Sequence, residues 1–330
     1  MRVLVTGATG FLGSRLARRL THRGDDVRVL VRSTSDLDRL RDARVDIVHG
    51  DVTDRRSVVE AVTGVDTVFH CAALVEFGAS DRNRLEQVNV DGTRHVLESA
   101  AQASALTVHV SSVAALGATG PEPVDESFWS PRPPSVAYEA TKRQAHLVAR
   151  SMAAQGAAVR IGIPGGIYGY GDHSSMAKLI EVFARYPTPV GYMPELVQSL
   201  VNVDDCADGL ALIADHAADG AEYLLCADAV PFRSWFEAIA AGSGRRRPVA
   251  YVPTGAVRWA SRPGARIARW ARAEPSKLTE MIEIATRHQA FSGQKARSEL
   301  GWSPRSLGQG MAEMCGAIRR DGRRASRRGP

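Results

Sequence analysis

Tyr138 and Lys142 are the two side chains of this 330-residue sequence whose spacing best suits proton transfer. They stand four residues apart in a segment that predicts a helix, so both project from one face. A free tyrosine titrates near pH ~10, too high for an efficient acid or base at neutral pH. An adjacent ammonium favours the phenolate and lowers the tyrosine pKa. The pair would therefore exchange a proton with a carbonyl or alcohol oxygen.

The hydroxyl of Ser112 belongs to the same predicted site. Ser112 ends the strand predicted over residues 106–112, and parallel α/β sheets bind ligands at the carboxyl ends of their strands. The hydroxyl would bind the substrate oxygen while a hydride moves to or from a nicotinamide. Because a Tyr-x-x-x-Lys spacing occurs by chance in many helices, this interpretation needs separate evidence for a redox cofactor.

Three glycines near the N-terminus supply that evidence. Gly7, Gly10 and Gly13 follow a buried apolar run at residues 3–5 and precede a helical period. In such a turn the glycines allow a tight bend, a close approach to a pyrophosphate and close packing of the helix on the strand. The G-x-x-G-x-x-G spacing differs from the common G-x-G-x-x-G fingerprint. The pattern predicts a dinucleotide site; the alternative is a structural turn without a ligand.

Arg32 and Ser33 follow the second predicted strand, at residues 25–31. Dinucleotide-binding folds place there the residue that inspects the adenosine ribose. An acid would bind the two free hydroxyls of NAD, whereas an arginine beside a hydroxyl neutralises a 2′-phosphate. The sequence therefore favours NADP(H) over NAD(H), the alternative being a solvated arginine at a strand end.

The ends of the next two predicted strands would line the rest of the cofactor site. Asp51 and Val52 lie where the adenine edge would be, and Ala72 and Ala73 are small enough to let the backbone approach the cofactor. Strands and helices alternate over residues 1–165. This alternation predicts an α/β fold with a doubly wound parallel sheet.

The chain beyond residue 165 is less regular. We assign residues 166–198 and 227–312 to a smaller substrate-binding lobe, and 199–226 to segments that return to the nucleotide-binding domain. Six arginines against Asp321 give the last twelve residues a charge of +5, out of +6 for the whole chain. Residues 313–330 therefore predict a basic, disordered tail, and the nearly neutral remainder argues against a nucleic-acid partner.

The composition, 44% hydrophobic and 24% charged, is typical of soluble globular proteins. No apolar run approaches the ~18 residues of a membrane span, and the first residues form a strand rather than a signal peptide, so we expect a cytoplasmic protein. The four cysteines are widely spaced, which predicts reduced thiols and neither a disulfide framework nor a metal site.

Two basic segments are compatible with other partners but favour solvated surfaces. Arginines recur beside tryptophans over residues 257–272, a pattern that suits an anionic membrane surface. However, Pro263 and Gly264 interrupt that helix, so membrane contact is the less favoured interpretation. The arginine run at 245–247 has no nucleic-acid recognition motif beside it. The recurring arginines are Arg258, Arg262, Arg266, Arg269 and Arg272.

As a set, these motifs resemble the extended short-chain dehydrogenase/reductases, also called the NAD-dependent epimerase/dehydratase family. The resemblance covers roughly residues 1–310. The matching segments are T-G-A-T-G-F-L-G (6–13), G-D-V-T (50–53), H-C-A-A (70–73), N-V-D-G-T (89–93), V-S-S (110–112), Y-E-A-T-K (138–142), P-G-G-I-Y-G-Y-G-D (164–172), V-N-V-D-D (201–205) and K-A-R-S-E-L-G-W-S-P (295–304).

The resemblance implies a Rossmann-like domain with a smaller C-terminal substrate lobe, and we expect a homodimer. It implies that Tyr138 is the general acid/base, Lys142 its pKa partner and ribose ligand, and Ser112, rather than Ser111, the oxygen-binding residue. Asn89 would help to hold the site. The implied cofactor-binding residues are Gly7, Thr9, Gly10, Phe11, Leu12, Gly13, Arg32, Asp51, Val52, Ala72, Ala73, Tyr138, Lys142 and Pro164.

Two departures separate this chain from the sugar-nucleotide enzymes of that family. Arg32 follows Val31 where those enzymes usually carry an acid, and Gln198 to Leu200 replace the arginine-aspartate-aromatic run that grips the nucleotide. Both departures favour the dihydroflavonol-reductase and 3β-hydroxysteroid-dehydrogenase branch, although Ile163 stands where a polar residue often precedes the proline.

We therefore predict an NADP(H)-dependent enzyme that interconverts a ketone and a secondary alcohol on a small, fairly apolar substrate. A sugar-nucleotide epimerase or dehydratase with tightly bound NAD is the first alternative, and a non-catalytic dinucleotide-sensing protein is the second. The substrate stays open, because the segments that would select it are the least patterned part of the sequence.

Overall fold

The structure is a computed structural model that describes residues 1–78, 82–260 and 277–327, with the backbone alone described at 277–278 and 322–327. Its strands are β1 (Arg2–Thr6), β2 (Asp26–Val31), β3 (Asp46–His49), β4 (Thr67–His70), β5 (Leu106–Val110), β6 (Val159–Pro164), β7 (Gly166–Tyr168), β8 (Val190–Tyr192), β9 (Val197–Asn202), β10 (Glu222–Leu225), β11 (Asp228–Pro231) and β12 (Ala250–Val252).

Seven of these strands form one parallel sheet in the order β3-β2-β1-β4-β5-β6-β10. The chain winds outward from β1 in one direction and from β4 in the other, which confirms the predicted α/β fold with a doubly wound sheet. In such sheets the crevice for a ligand opens at the carboxyl ends of the strands where the order reverses. That point lies between β1 and β4.

The helices cover both faces of this sheet and build a second lobe. None of the described helices is long and apolar enough to cross a membrane. They are α1 (Phe11–Arg23), α2 (Arg55–Val62), α3 (Arg82–Glu86), α4 (Gly92–Gln102), α5 (Val113–Leu116), α6 (Ala137–Ala154), α7 (Ser175–Arg185), α8 (Val203–His216), α9 (Phe232–Ser243), α10 (Lys277–Ala285), α11 (Gln294–Leu300) and α12 (Leu307–Arg327).

Strand β1 illustrates how the sheet buries both faces. Val5 belongs to a core cluster with Leu16 of α1 and Leu210 of α8. Leu4, the preceding residue, belongs to a separate cluster with Val58 of α2 and Val96 of α4. Successive side chains of a strand point to opposite faces, so a parallel strand covered by helices on both sides reads as a continuous apolar run.

A smaller lobe contains a three-stranded sheet, β11-β9-β7, and a two-stranded sheet, β12-β8, packed with α7, α9 and α12. Its core includes Tyr168, Trp235 and Phe236. Strand β9 pairs with β7 from Gly166 opposite Leu200 onward. Of the segments assigned near 199–226 to the nucleotide-binding domain, α8 packs in the core beside β1 and β10 joins the main sheet, whereas β9 belongs to the smaller sheet. The chain leaves the main sheet after β6, and β9 follows β7 out of it.

The predicted disordered tail is also corrected. Helix α12 runs from Leu307 to Arg327 and so includes most of residues 313–330. Met314, Cys315 and Ile318 are buried, because their spacing places them on one helix face against α9. The dense arginines conceal this apolar face when the segment is judged by its charge alone.

Candidate active site

The structure brings Ser112, Tyr138 and Lys142 together at the carboxyl edge of the main sheet. Ser112 follows β5 and caps α5, its hydroxyl accepting from the Ala114 N–H at 3.2 Å. Tyr138 lies in the first turn of α6, and Lys142 follows one turn later. The Ser112 hydroxyl lies near the Tyr138 phenol and acts to lower the pKa of that phenol. A substrate oxygen placed between these two hydroxyls would meet two hydrogen-bond donors.

Burial sets the proton equilibria of this group. Lys142 is 4% exposed and donates from Nζ to the Val110 carbonyl at 3.0 Å. Burial lowers the pKa of Lys142 to about 8, against an opposing contribution from Cys71. Burial raises the pKa of Tyr138, and the Ser112 hydroxyl opposes that rise only in part.

The net pKa of Tyr138 is therefore raised, not lowered as the spacing to Lys142 predicts. The ammonium group is directed at the Val110 carbonyl, and desolvation of the phenol is the largest contribution to its pKa. A raised pKa keeps the Tyr138 phenol protonated at neutral pH, so the group is prepared to donate a proton.

Asn89 ties the segment after β4 to α6 from a single helical turn with π-type hydrogen bonding, Gln87–Asp91. Its buried amide donates to the Leu74 carbonyl and to the Thr141 hydroxyl, both at 3.0 Å, and accepts from the Leu74 N–H at 2.7 Å. Thr141 in turn donates to the Tyr138 carbonyl at 3.0 Å. Asn89 thus positions the backbone that carries Tyr138 and does not contact its phenol.

The glycine turn between β1 and α1 requires its glycines for steric reasons. Gly7 has a φ of 70°, and a Cβ there would lie 2.7 Å from the Ala72 nitrogen. A Cβ on Gly13 would lie 2.2 Å from the Gly7 carbonyl oxygen. Gly10 is the N-cap residue of helix α1 and provides no side-chain cap, so the first backbone N–H groups of the helix remain available to an anion. The turn therefore fits a pyrophosphate.

A cavity of about 220 Å³ extends from this turn across β2 and β4. Arg32 and Ser35, which follow β2, line part of this cavity. Of the predicted cofactor residues, Gly7, Thr9, Gly10, Arg32, Asp51, Val52, Ala72 and Ala73 line it. The structure does not bring Phe11, Leu12, Gly13, Tyr138, Lys142 and Pro164 into this cavity; Tyr138 and Lys142 lie at the Ser112 site, and Gly13 packs beneath the turn.

Several residues at the site were not predicted; Ser35, rather than the predicted Ser33, lines the cavity with Arg32. Arg84 of α3 lines the same cavity as Arg32. The ring of Phe77 meets the Tyr138 ring edge-on, with 5.8 Å between centroids. The next residue, Gly78, donates from its N–H to Glu280 of α10 at 2.6 Å. No motif marks Arg84 or Phe77, and the Gly78 contact spans two hundred and two residues of sequence, so local pattern could not reveal it.

Two buried histidines lie beneath Lys142 on β4 and β5. The His70 ring lies between the hydroxyls of Thr6, at 2.8 Å, and Thr93, at 3.0 Å, and burial lowers its pKa to about 3. Neither ring nitrogen of His109 has a hydrogen-bond partner among the described residues, and burial lowers its pKa as well. Both rings are therefore neutral at physiological pH. The described part of the chain shows no group of three or more residues arranged to hold a metal.

Comparison with family models and curated proteins identifies related sequences. Residues 3–226 match the model of the NAD dependent epimerase/dehydratase family. A "Sterol demethylase protein B" of Methylococcus capsulatus is 33% identical over 77% of this chain and 78% of its own. A ketoreductase of a farnesyl-dihydroquinoline oxide from Stigmatella aurantiaca is 31% identical over 92% of each chain.

Solved structures show the same architecture. The protein gox2253 matches with a TM-score of 0.84 at 28% identity, over 97% of this chain and 98% of its own. DesIV, a dTDP-glucose 4,6-dehydratase from Streptomyces venezuelae solved with NAD and TYD bound, matches with a TM-score of 0.75 at 25% identity, over 98% of each chain.

Proposed function

The chain belongs to the NAD-dependent epimerase/dehydratase family and is an oxidoreductase of the extended short-chain dehydrogenase/reductase type, and from that premise we propose that it interconverts a ketone and a secondary alcohol on a small, fairly apolar substrate. The Ser112 hydroxyl beside the Tyr138 phenol, with Lys142 one turn away on the same helix, carries this proposal. This arrangement sets two hydroxyls at the sheet edge where the glycine turn would hold a dinucleotide.

A bound nicotinamide supplies or accepts the hydride. In reduction, Tyr138 gives its proton to the substrate oxygen as that oxygen gains charge, and Ser112 donates a second hydrogen bond to it. Lys142 would hold the nicotinamide ribose and, while protonated, stabilise the phenolate that Tyr138 becomes. In the oxidative direction the same groups act in reverse.

The apolar character of the substrate is supported by a ring at the site and by the run that replaces the nucleotide-gripping residues. Phe77 presents an aromatic ring beside Tyr138. Ser199 and Leu200, in the run that replaces the nucleotide-gripping residues, are buried in β9, and the Ser199 hydroxyl donates to the Phe291 carbonyl at 2.9 Å. This run presents no cation to a sugar nucleotide. Relatives named for a sterol and for a farnesylated quinoline agree with an apolar substrate.

The test is transfer of deuterium from NADPH deuterated at the nicotinamide C4 to a panel of apolar ketones. We expect an alcohol that carries one deuterium on the carbinol carbon, with one oxidised cofactor per turnover. The epimerase or dehydratase alternative predicts the opposite: NAD that copurifies with the protein and no net consumption of added NADPH. That result would overturn the reductase proposal.

We further propose that NADP(H) is preferred over NAD(H), with Arg32 as the 2′-phosphate ligand. Arg32 and Ser35 line the cavity beside the turn, and a charge-assisted hydrogen bond is worth about 1.5–3 kcal/mol. Titration with both cofactors should show that Arg32→Ala weakens NADPH binding by roughly tenfold to a hundredfold and leaves NADH binding unchanged. Arg56→Ala, an exposed arginine on α2, serves as the control. A cofactor preference that Arg32→Ala does not change would refute this role.

A further inference from the structure

The smaller lobe carries a basic, apolar surface that the proposed reaction does not use. Its apolar members are Val249, Val252 and Trp259, whose exposed fractions are 86%, 38% and 72%. Arg246 and Arg247 precede them and are exposed. We call these five residues the basic apolar surface. Four arginines of the predicted amphipathic segment, at positions 262, 266, 269 and 272, lie outside the described residues and form no part of it.

Strand register turns one of these apolar side chains outward. Strand β12 pairs with β8, and Val249, just before β12, donates from its N–H to the Pro189 carbonyl at 2.9 Å. The Tyr251 ring packs on the Phe236 ring, with 6.0 Å between centroids. Because alternate residues of a strand face opposite sides, Val252 faces away from Phe236. The exposure of Val252 is therefore a consequence of strand register.

The segments that form this surface contain few acidic residues to offset their arginines. No aspartate or glutamate occurs between Glu237 and Glu274, or between Glu181 and Glu195 in the segment that includes β8. Glu195 accepts a hydrogen bond from the Thr254 N–H, just after β12, at 2.8 Å. The surface therefore combines exposed apolar groups with a local excess of arginine, a combination that complements an anionic lipid surface.

We propose that the basic apolar surface docks the protein on an anionic lipid bilayer. Arg246 and Arg247 would contact the lipid phosphates, and Trp259 with the two valines would enter the boundary between headgroups and acyl chains. A nucleic acid is the weaker match, because only Trp259 offers a base a stacking surface and the two exposed valines offer neither stacking nor hydrogen bonds. This inference goes beyond the proposed function and does not depend on it.

The surface adjoins the elements beside the site. Arg258, next to Trp259, donates to the Thr286 carbonyl just after α10. Glu280 of α10 in turn accepts from Gly78, the neighbour of Phe77. Docking through this face would therefore hold the substrate lobe toward the bilayer.

The test is co-sedimentation of the full-length protein with vesicles of phosphatidylcholine alone or mixed with phosphatidylglycerol. We expect binding to the mixed vesicles that weakens as salt is raised, and much weaker binding to phosphatidylcholine. Arg246→Gln combined with Arg247→Gln should weaken binding roughly thirtyfold, since each cation near an anionic membrane contributes about 1 kcal/mol. Trp259→Ser should weaken binding as well.

Matched variants elsewhere separate docking from net charge and from unfolding. Arg56→Gln with Arg94→Gln removes the same charge from α2 and α4, and Val59→Ser removes an exposed valine from α2. These controls should bind vesicles as the wild type does, and all variants should bind cofactor normally. The proposal is overturned if the protein binds neither kind of vesicle, or if the control variants weaken binding as much as the test variants do. It is also overturned if the protein binds single-stranded RNA more tightly than the mixed vesicles at the same ionic strength.

Discussion

Burial shifts the pKa values of Tyr138 and Lys142 in opposite directions. The charged form is the phenolate of tyrosine and the ammonium of lysine, and a buried site disfavours both. The pKa of Tyr138 is therefore raised, and the pKa of Lys142 is lowered to about 8. At neutral pH the site holds a protonated phenol and an ammonium, which is the combination that ketone reduction requires.

We predict that kcat/KM for ketone reduction falls as the pH rises above about 8, because the free enzyme then loses the proton of Lys142. Tyr138 stays protonated in that range, since its pKa lies above the ordinary value of 10.0. The measurement is a pH profile of kcat/KM with the fold monitored by tryptophan fluorescence at each pH. A profile that stays flat up to pH 10 would show that the Lys142 ammonium is not needed.

Replacement of His109 by phenylalanine should stabilise the protein at pH 7. The His109 ring is buried with neither nitrogen hydrogen-bonded among the described residues, and such a group costs about 1–3 kcal/mol. Because its folded-state pKa is lowered, histidine at this position also loses stability as the pH falls below the unfolded value of about 6.5. His109→Phe should therefore make the acid dependence shallower.

Urea unfolding at pH 7 and pH 5 checks the effect of His109→Phe. The matched control is His216→Phe at an exposed position, which should change the free energy of unfolding by less than about 0.5 kcal/mol. A lower unfolding free energy for His109→Phe at pH 7 would mean that the imidazole has a polar partner in solution.

Some site residues could be predicted from sequence and others could not, for a physical reason. Tyr138 and Lys142 share a helix face, and Ser112 closely follows a strand, so local spacing suffices to single out all three. Phe77 reaches Tyr138 from a segment with no regular period. Arg84 reaches the cofactor cavity from a short helix that no motif distinguishes.

At the scale of elements, the β1–α1 turn is fixed by steric contacts. We predict that Gly13→Ala lowers the free energy of unfolding by at least about 1–3 kcal/mol and weakens dinucleotide binding. The added Cβ would clash with a backbone oxygen, which cannot move aside as easily as the end of a side chain. Gly120→Ala is the control, since a Cβ there has no heavy atom within 4 Å. Calorimetry and cofactor titration measure both effects; wild-type behaviour of Gly13→Ala would contradict the packing.

The sheet to which strand β9 belongs could not be predicted from sequence. Strand β1 and helix α1 are adjacent in sequence, and their period changes at the glycine turn, so local pattern suffices. Strand β9 has the apolar composition of any buried strand, and only its pairing with β7 and β11 reveals that it belongs to the smaller sheet. Pairing partners far apart in sequence leave no local pattern.

At the scale of the whole molecule, α12 completes the core of the smaller lobe. Its apolar face packs against α9, and Asp321 accepts a hydrogen bond from the Tyr170 hydroxyl at 2.7 Å. We predict that truncation after Ala312 removes several kcal/mol of stability, because it deletes four buried side chains, of which Met314 and Ile318 are worth about 1.5–3 kcal/mol each. The other two are Cys315 and Ala317.

Thermal unfolding of two truncated proteins makes this comparison. Truncation after Asp321 keeps the buried face and the bond to Tyr170, and should leave the transition temperature unchanged. If removal of all residues beyond Ala312 leaves the transition temperature unchanged, the role of α12 is contradicted and the prediction of a disordered tail is supported.

The central claim is that Tyr138 transfers a proton in a reaction driven by an exchangeable nicotinamide cofactor. Its most direct test measures NADPH binding and NADPH-dependent ketone reduction for the wild type and for Tyr138→Phe. The account predicts equal NADPH affinity and a turnover roughly 10²–10⁴-fold lower for Tyr138→Phe. Equal turnover by the two proteins would contradict it.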